Sequence, residues 1–402
     1  MLLPFGRGDG RLILEDKKMK RLVTLLLALV MVFSLAACGT TTGTPATEEK
    51  KAEDSSVDFK IGIITGTASQ GEEEIAAATK MKEKYGDMIV TATYPDNFSS
   101  ETEQTIATAT NMASDPAVKA IVWVQAIDGT VAAINKIKET RDDMLFIGGI
   151  ATEAPAIVAQ TLDIAMMNDE ITLGFDIIDQ AVKQGAETFV HISFERHLGI
   201  TTIAQRQANF KQRCEELGVK YVEATAPDPT GDAGVPGAQA WITNNIPVLV
   251  AEYGKNTAFF STNCSMQVPL IQQVAEQGAI YPLQCCPSPF HGYPSAFNID
   301  MAGHDGDVDY LLGEITKAVA AKGNSGRMST WTVPVAMMII EAGVEYAIKW
   351  CKGEITEKFD EAAMLAELQK IGGEEVRWSS YVDTDAGELK NFKMIIAPFY
   401  DF

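Results

Sequence analysis

The chain has 402 residues, with 54 Asp and Glu against 33 Lys and Arg, for a formal net charge of −21. So acidic a protein repels phosphate backbones and anionic lipid headgroups, which argues against nucleic acid as a partner. With 46% hydrophobic residues the chain can fill a core, and its length suits two lobes of ordinary size better than one.

In chain order, residues 1–18 are expected to be an upstream extension from a misassigned start: 1–16 carry no targeting logic, and Lys17 and Lys18 only lengthen the cationic region that follows. Residues 19–37 read as a lipoprotein signal peptide: Lys20 and Arg21 form the cationic start, 22–33 the apolar run, and Leu35-Ala36-Ala37-Cys38 a lipobox. The apolar run is short of the roughly 20 residues needed to cross a bilayer. Cleavage before Cys38 removes a segment of net charge +3 and leaves a chain of −24. Residues 38–57 are Thr, Glu, Lys and Ser with almost nothing to bury, so they are expected to tether a lipidated Cys38 to the body. The expected location is the cell membrane, lipid-anchored on its extracytoplasmic face.

From residue 58 onward, short β-rich runs alternate with helical patterns, the signature of parallel strands with crossover helices. Strands are expected at 59–64, 88–93, 120–124 and 144–147, with helices at 72–84, 100–113 and 130–140. The order then repeats, with strands at 187–192, 219–225, 258–262 and 280–283 and a helix at 205–217. Thr93-Tyr94-Pro95-Asp96 and Thr225-Ala226-Pro227-Asp228 punctuate the corresponding strand in each half. The fold class is therefore α/β, two Rossmann-like lobes with parallel sheets joined by a three-segment hinge. One continuous sheet would need about a dozen strands, more than open sheets usually carry. The segments 158–168, 294–301 and 328–333 are the expected crossings, followed by a long helix at 334–351. They divide the chain into lobe 1 (58–165 with 292–333) and lobe 2 (166–291 with 334–402).

Lipobox, polar tether, repeated αβ units and three crossings together resemble the type I periplasmic binding proteins, the solute-binding lipoproteins of ABC importers. Ala204-Gln205-Arg206-Gln207-Ala208-Asn209-Phe210 is similar to the helix signature of sugar-binding members, and Thr262-Asn263-Cys264 sits where they usually carry Asn-Asp. Asn209 stands in place of their Gly and Cys264 in place of their Asp, which separates this chain from simple-sugar binders. The resemblance implies a binding protein rather than an enzyme, a small polar ligand (sugar, nucleoside or amino-acid-like), an ABC permease as partner and no cofactor. A ligand-sensing subunit for a membrane receptor is the alternative. A surface hydrolase is a weaker one, since no GxSxG elbow or HExxH pattern is present.

In such sheets ligands bind beyond the C-terminal strand ends. The loops concerned are 65–71, 94–99, 125–129 and 148–153 in the first unit, and 193–199, 228–237, 263–265 and 285–293 in the second. They supply the candidate ligand-binding residues Gln70, Asn97, Phe98, Gln125, Asp128 and Glu153 from one side. From the other come Phe194, Arg196, Asn263 and His291, joined by Arg206 on the following helix. The loop aromatics could stack on a flat ligand or pack under their own loops, and Arg206 could bind ligand or pair with a helix carboxylate such as Glu195. Trp123 and His191 lie in apolar strands and are expected in the core. The 65–71 loop lacks the Lys-Ser/Thr of a P-loop.

Five cysteines follow Cys38, an odd number. They are expected either as buried reduced thiols or with a bridge from Cys264 to Cys285 or Cys286. Adjacent Cys285-Cys286, without a CxxC partner or a nearby histidine pattern, gives no zinc signature, so no metal site is expected. Asp305, Asp307 and Asp309 do not fit an EF-hand and read as a solvated acidic loop.

Overall fold

The computed structural model describes residues 58–67, 71–98 and 100–402, and these form one compact unit. The expected extension 1–18, the signal 19–37, the lipidated Cys38, the tether to residue 57 and Gln70 lie outside the described residues.

The first strand, β1 (Lys60–Thr65), is Ile-rich and buried from Ile61 onward, as a strand covered on both faces must be. It pairs in parallel with β2 (Ile89–Thr93) on one side and β3 (Val118–Val124) on the other. Beyond β3 lie β4 (Leu145–Gly149) and β5 (Ile164–Asn168), also parallel. The second set repeats this order. There β6 (Thr188–Ser193) is flanked in parallel by β7 (Lys220–Thr225) and β8 (Thr257–Ser261). Single parallel bridges from Ala258 to Ile280 and from Tyr281 to Met328 carry this sheet on to β9 (Ser329–Trp331). The chain then returns: β10 (Arg377–Asp383) and β11 (Gly387–Ile396) form an antiparallel hairpin, and β11 lies parallel against β5. Last, β12 (Phe399–Asp401) pairs with β9. The first sheet has the order β10-β11-β5-β4-β3-β1-β2 and the second is built around β7-β6-β8, so the repeated strands β1 and β6 lie in two different sheets, each flanked by parallel strands on both sides.

The chain divides between the halves differently from the sequence expectation of 58–165 with 292–333 and 166–291 with 334–402. Helix Val335–Cys351 packs on β1, β3 and β4 and on helix Glu72–Tyr85, in the first half. Its side chains are buried around almost its whole circumference, because it fills one face of a parallel sheet that must be covered on both. Helices Tyr293–Phe297 and Val308–Ala321 stay in the second half, where Tyr293, Leu311 and Ile315 share a core with Tyr281 and Met328. Residues 294–301 are therefore not a crossing. The three crossings are 168–172, 332–334 and 397–398.

They run side by side. The Asp169 amide donates to the Ile395 carbonyl at 2.8 Å and the Thr332 amide to the Pro398 carbonyl at 3.2 Å. Asp169 is buried, and its carboxylate accepts the amides of Ile171 (3.1 Å) and Thr172 (2.8 Å), the Thr172 hydroxyl (2.6 Å) and the Ser379 hydroxyl (3.2 Å). One apolar cluster continues past the crossings from Ile61 and Val122 through Ile339 to Phe189 and Phe260. On the far side the halves touch where Gly306, with φ +70°, lies against helix Glu72–Tyr85; a Cβ at Gly306 would stand 2.2 Å from that of Ala76.

Replacing Asp169 by Ala removes the shared acceptor of four donors at once, three of them in the half-buried turn 171–172, and is expected to cost about 3 kcal/mol. Urea unfolding of Asp169→Ala and Asp169→Asn checks this: a wild-type midpoint for Asp169→Ala would show that the crossings do not depend on the carboxylate.

Candidate functional site

Parallel strands in both sheets leave their C-terminal ends, and the loops after them, where the halves meet. In the first half β1 runs out at Thr65 into the N-terminus of helix Glu72–Tyr85, which opens with three carboxylates. Glu74 is turned inward and is 3% exposed. Its Oε1 accepts from Gln125 Nε2 at 3.1 Å, and burial pushes its carboxyl up to about 7 although the Gln125 amide pulls the other way. Glu73 also sits above the usual carboxylate range, chiefly through burial. It reaches the other half, accepting from Ser288 Oγ at 3.2 Å and standing near enough to His291 to feel its charge.

In the second half, Ser193 and Thr262 share a hydroxyl bond of 2.9 Å at the ends of adjacent strands, and His197 Nδ1 lies 3.3 Å from Thr262 Oγ1. Arg206 lies below these ends, 1% exposed, with its guanidinium 5.0 Å above the Phe260 ring. Gly174 lets helix Leu173–Lys183 approach closely enough to enclose it, since a Cβ at that position would stand 2.7 Å from the Arg206 carbonyl oxygen. Among the described residues, Arg206 Nε and Nη1 find no hydrogen-bond partner. A buried cation without a counter-charge costs free energy unless something in the site supplies one.

Sulfur is the surprise of the site. Cys264 Sγ lies 3.5 Å from Cys285 Sγ and 3.4 Å from Cys286 Sγ, the latter two are 3.9 Å apart, and His291 Nε2 is 3.8 Å from Cys285 Sγ. All three thiols are unbonded; Cys285 is buried, and Cys264 and Cys286 reach solvent. Cys264, Cys285 and His291 thus offer one ligand atom each within a single ion's reach. The Cys264 thiol is held below its ordinary range by hydrogen bonds from Cys285 and Cys286, and that partner raises both neighbours.

The expected site residues fall into three groups. Gln125, His291 and Asn263 stand at the meeting strand ends, Asn263 with its Oδ1 engaged by the Ser265 amide (2.9 Å) and hydroxyl (2.6 Å). Several others have partners within their own half. Arg196 is held in a bidentate ion pair with Asp228 (2.7 and 2.9 Å), Asp128 accepts from Thr152 Oγ1 (2.7 Å), and Glu153 accepts the Val131 amide (2.9 Å) at a helix start. Phe98 packs edge-on to Tyr94 at 5.8 Å and Phe194 is buried, so both serve their own loops. Asn97 is exposed, its carbonyl taking the Ser100 hydroxyl and amide. Trp123 and His191 are core residues, and burial lowers His191 to about 3.

Glu73, Glu74 and Ser288 are not among the residues expected from the sequence; Cys264 does lie beside Cys285 and Cys286, as the expected bridge required, but all three are free thiols and His291 joins them where no metal site was expected. The spacing from Cys286 to His291 matches no motif. The usable signal was that 263–265 and 285–293 are loops after neighbouring strands of one sheet. A cavity of about 730 Å³ lies between helix Glu72–Tyr85 and residues 303–307, but no strand-end residue lines it, and it is the outer seam of the halves.

Two mainly parallel α/β halves, joined by three adjacent crossings and meeting at their strand ends, define the type I periplasmic-binding-protein class of folds. Within it, the chain belongs to the family described as "Protein of unknown function (DUF3798)", whose model matches residues 59–329. Two proteins of Treponema pallidum (strain Nichols), each described as uncharacterized, are similar to it. One is 33% identical over 181 residues (43% of this chain, 82% of its own), the other 27% identical over 217 residues (54% and 98%). A proposed transcriptional regulator from Clostridium difficile 630 superposes with a TM-score of 0.78 at 21% identity, covering 86% of this chain and 99% of its own. An ABC transporter periplasmic solute-binding protein from Actinobacillus succinogenes 130z, with bound D-allose, superposes with a TM-score of 0.48 at 15% identity over 74% of this chain and 94% of its own.

Because Glu74 has a folded pKa raised from 4.5 to about 7, the native state binds more protons than the unfolded chain between those values. Stability should therefore fall as pH rises through that window, by up to about 1.4 kcal/mol per pH unit. Glu74→Gln keeps an acceptor for Gln125 and should flatten the profile while raising stability above pH 7. Melting temperatures across pH 4.5 to 8 decide it: parallel profiles for the two proteins would contradict the assignment.

Proposed function

We propose that the protein is a lipid-anchored, extracytoplasmic solute-binding protein that holds a small polar ligand between its halves and delivers it to an ABC-type permease. The observation that carries the reading is Arg206, buried below the strand ends with two nitrogens unpartnered. The two nitrogens lie on different edges of the guanidinium, so two acceptors of one ligand, such as a carboxylate oxygen and a hydroxyl, would satisfy them. Gln125 and the carboxylates of Glu73 and Glu74 would face the ligand's donors from the other side. The acidic chain disfavours a DNA target, so the description of the Clostridium difficile protein is not carried over. No element of the reading requires bond chemistry; selection would come from contacts made only when both halves touch the ligand.

Native mass spectrometry of protein purified without denaturation should find a small molecule retained. Calorimetry with that molecule should then show a loss of roughly tenfold to a hundredfold in Arg206→Lys and Gln125→Ala, the cost of one charged or buried hydrogen bond. Wild-type affinity in both would move the site elsewhere.

The membrane arm of the proposal rests on Leu35-Ala36-Ala37-Cys38. Cys38→Ser should leave the chain unprocessed or release it from the membrane fraction, and an unmodified Cys38 in membrane-bound wild-type protein, read by intact mass, would refute the anchor.

A further inference from the structure

We propose that Cys264, Cys285 and His291, with Cys286 beside them, form a binding site for a thiophilic metal ion, zinc(II), at the seam between the two halves. The site does not depend on the solute-binding reading and would stand if no organic ligand were found.

The distances fit an ion. Tetrahedral zinc with Zn–S of about 2.3 Å places neighbouring sulfurs about 3.8 Å apart and a sulfur and an imidazole nitrogen about 3.6 Å apart. The sulfurs here are 3.4, 3.5 and 3.9 Å apart and the nearest nitrogen is at 3.8 Å. A point about 2.3 Å from all three sulfurs lies about 1 Å off their plane, as in a tetrahedral site. Cys264, Cys285 and His291 share mutual reach; Cys286 closes on the two sulfurs and not on the imidazole.

The ligands are also held in place from behind. Buried Gln284 donates to the carbonyls of Ser288 (2.9 Å) and His291 (3.3 Å) and accepts from Thr330 Oγ1 (3.0 Å). That bracing, with the His291 amide on the Ser288 carbonyl at 3.0 Å, folds 284–291 into a turn that returns the imidazole over Cys285. On the facing loop, the Asn263 side chain fixes the short helix Cys264–Met266. Such supporting hydrogen bonds orient ligands before an ion arrives. Across the seam stands Glu73, tied to the same turn through Ser288. Its negative charge favours a cation there and disfavours an anion. Binding replaces thiol protons with the ion, so the protons leave to solvent.

The test uses the full chain, purified from membranes in detergent without reductant and mapped for disulfides, then reduced under anaerobic conditions. Titration with Zn(II) against a chromophoric chelator should give one equivalent per chain, and Co(II) should give an intense sulfur-to-metal charge-transfer band with tetrahedral d–d bands. Cys264→Ser, at a solvent-reached position, and His291→Ala should each lose more than the roughly tenfold to hundredfold that loss of a supporting group costs. Cys214→Ser and Cys351→Ser should bind as wild type. Substoichiometric binding by the reduced chain, unchanged affinity in Cys264→Ser and His291→Ala, or a bridge from Cys264 to Cys285 or Cys286 in the unreduced protein would overturn the proposal.

Discussion

Three short segments carry the chain between the two sheets, and the requirement that they lie next to one another shapes the rest of the molecule. Asp169, Thr332 and Pro398 belong to different crossings far apart in sequence, yet main-chain hydrogen bonds join Thr332 to Pro398 and Asp169 to Ile395 at the end of β11, next to the third crossing. With the crossings gathered on one side, both sets of C-terminal strand ends point into the same seam. The continuous apolar cluster from Ile61 to Phe260 then makes separation of the halves near the crossings costly.

The two sides of that seam differ in chemistry because they are reached by different routes. The first half presents a helix start, and Glu73 and Glu74 are placed there by the favourable field of a helix N-terminus before burial raises their proton affinity. The second half presents the turns after β8 and after residues 280–283, which bring thiols and an imidazole together, with a guanidinium sunk behind them. Carboxylates facing soft donors form a cation-friendly rim, while Arg206 offers a separate positive point below it. One seam thus holds two electrostatic addresses.

Much of this was legible in the chain itself. The runs ending in Thr93-Tyr94-Pro95-Asp96 and Thr225-Ala226-Pro227-Asp228 announced the internal repeat, and β1 and β6 duly sit at equivalent places in separate sheets. The return of the chain was not legible. Helix Val335–Cys351 is apolar all round, so its pattern marks burial without saying which sheet it covers. Side-chain partners were lost for a related reason: Arg196 and Asp228 were each visible as loop residues, but nothing local reveals that they meet 32 residues apart. Cys264 and Cys285 could be paired from their loops, but that His291 joins them as a third ligand needs the turn of 284–291, a tertiary fact.

The short strand β12 gives the fold a temporal order. Its residues complete the edge beside β9, Lys183 joins Asp401 at 2.6 Å, and the Phe402 amide donates to the Met328 carbonyl at 3.0 Å. Helix Leu173–Lys183, made before the midpoint of the chain, packs early against helix Thr201–Leu217 but finds the partner of Lys183 only in Asp401. The first sheet likewise gains β10 and β11 only after β6 to β9 of the second half have been made. Contacts of such sequence separation form late and slowly, and until then both sheets carry open edges that invite wrong pairing. The molecule is thus committed to maturing as a whole, with neither half able to finish ahead of the other.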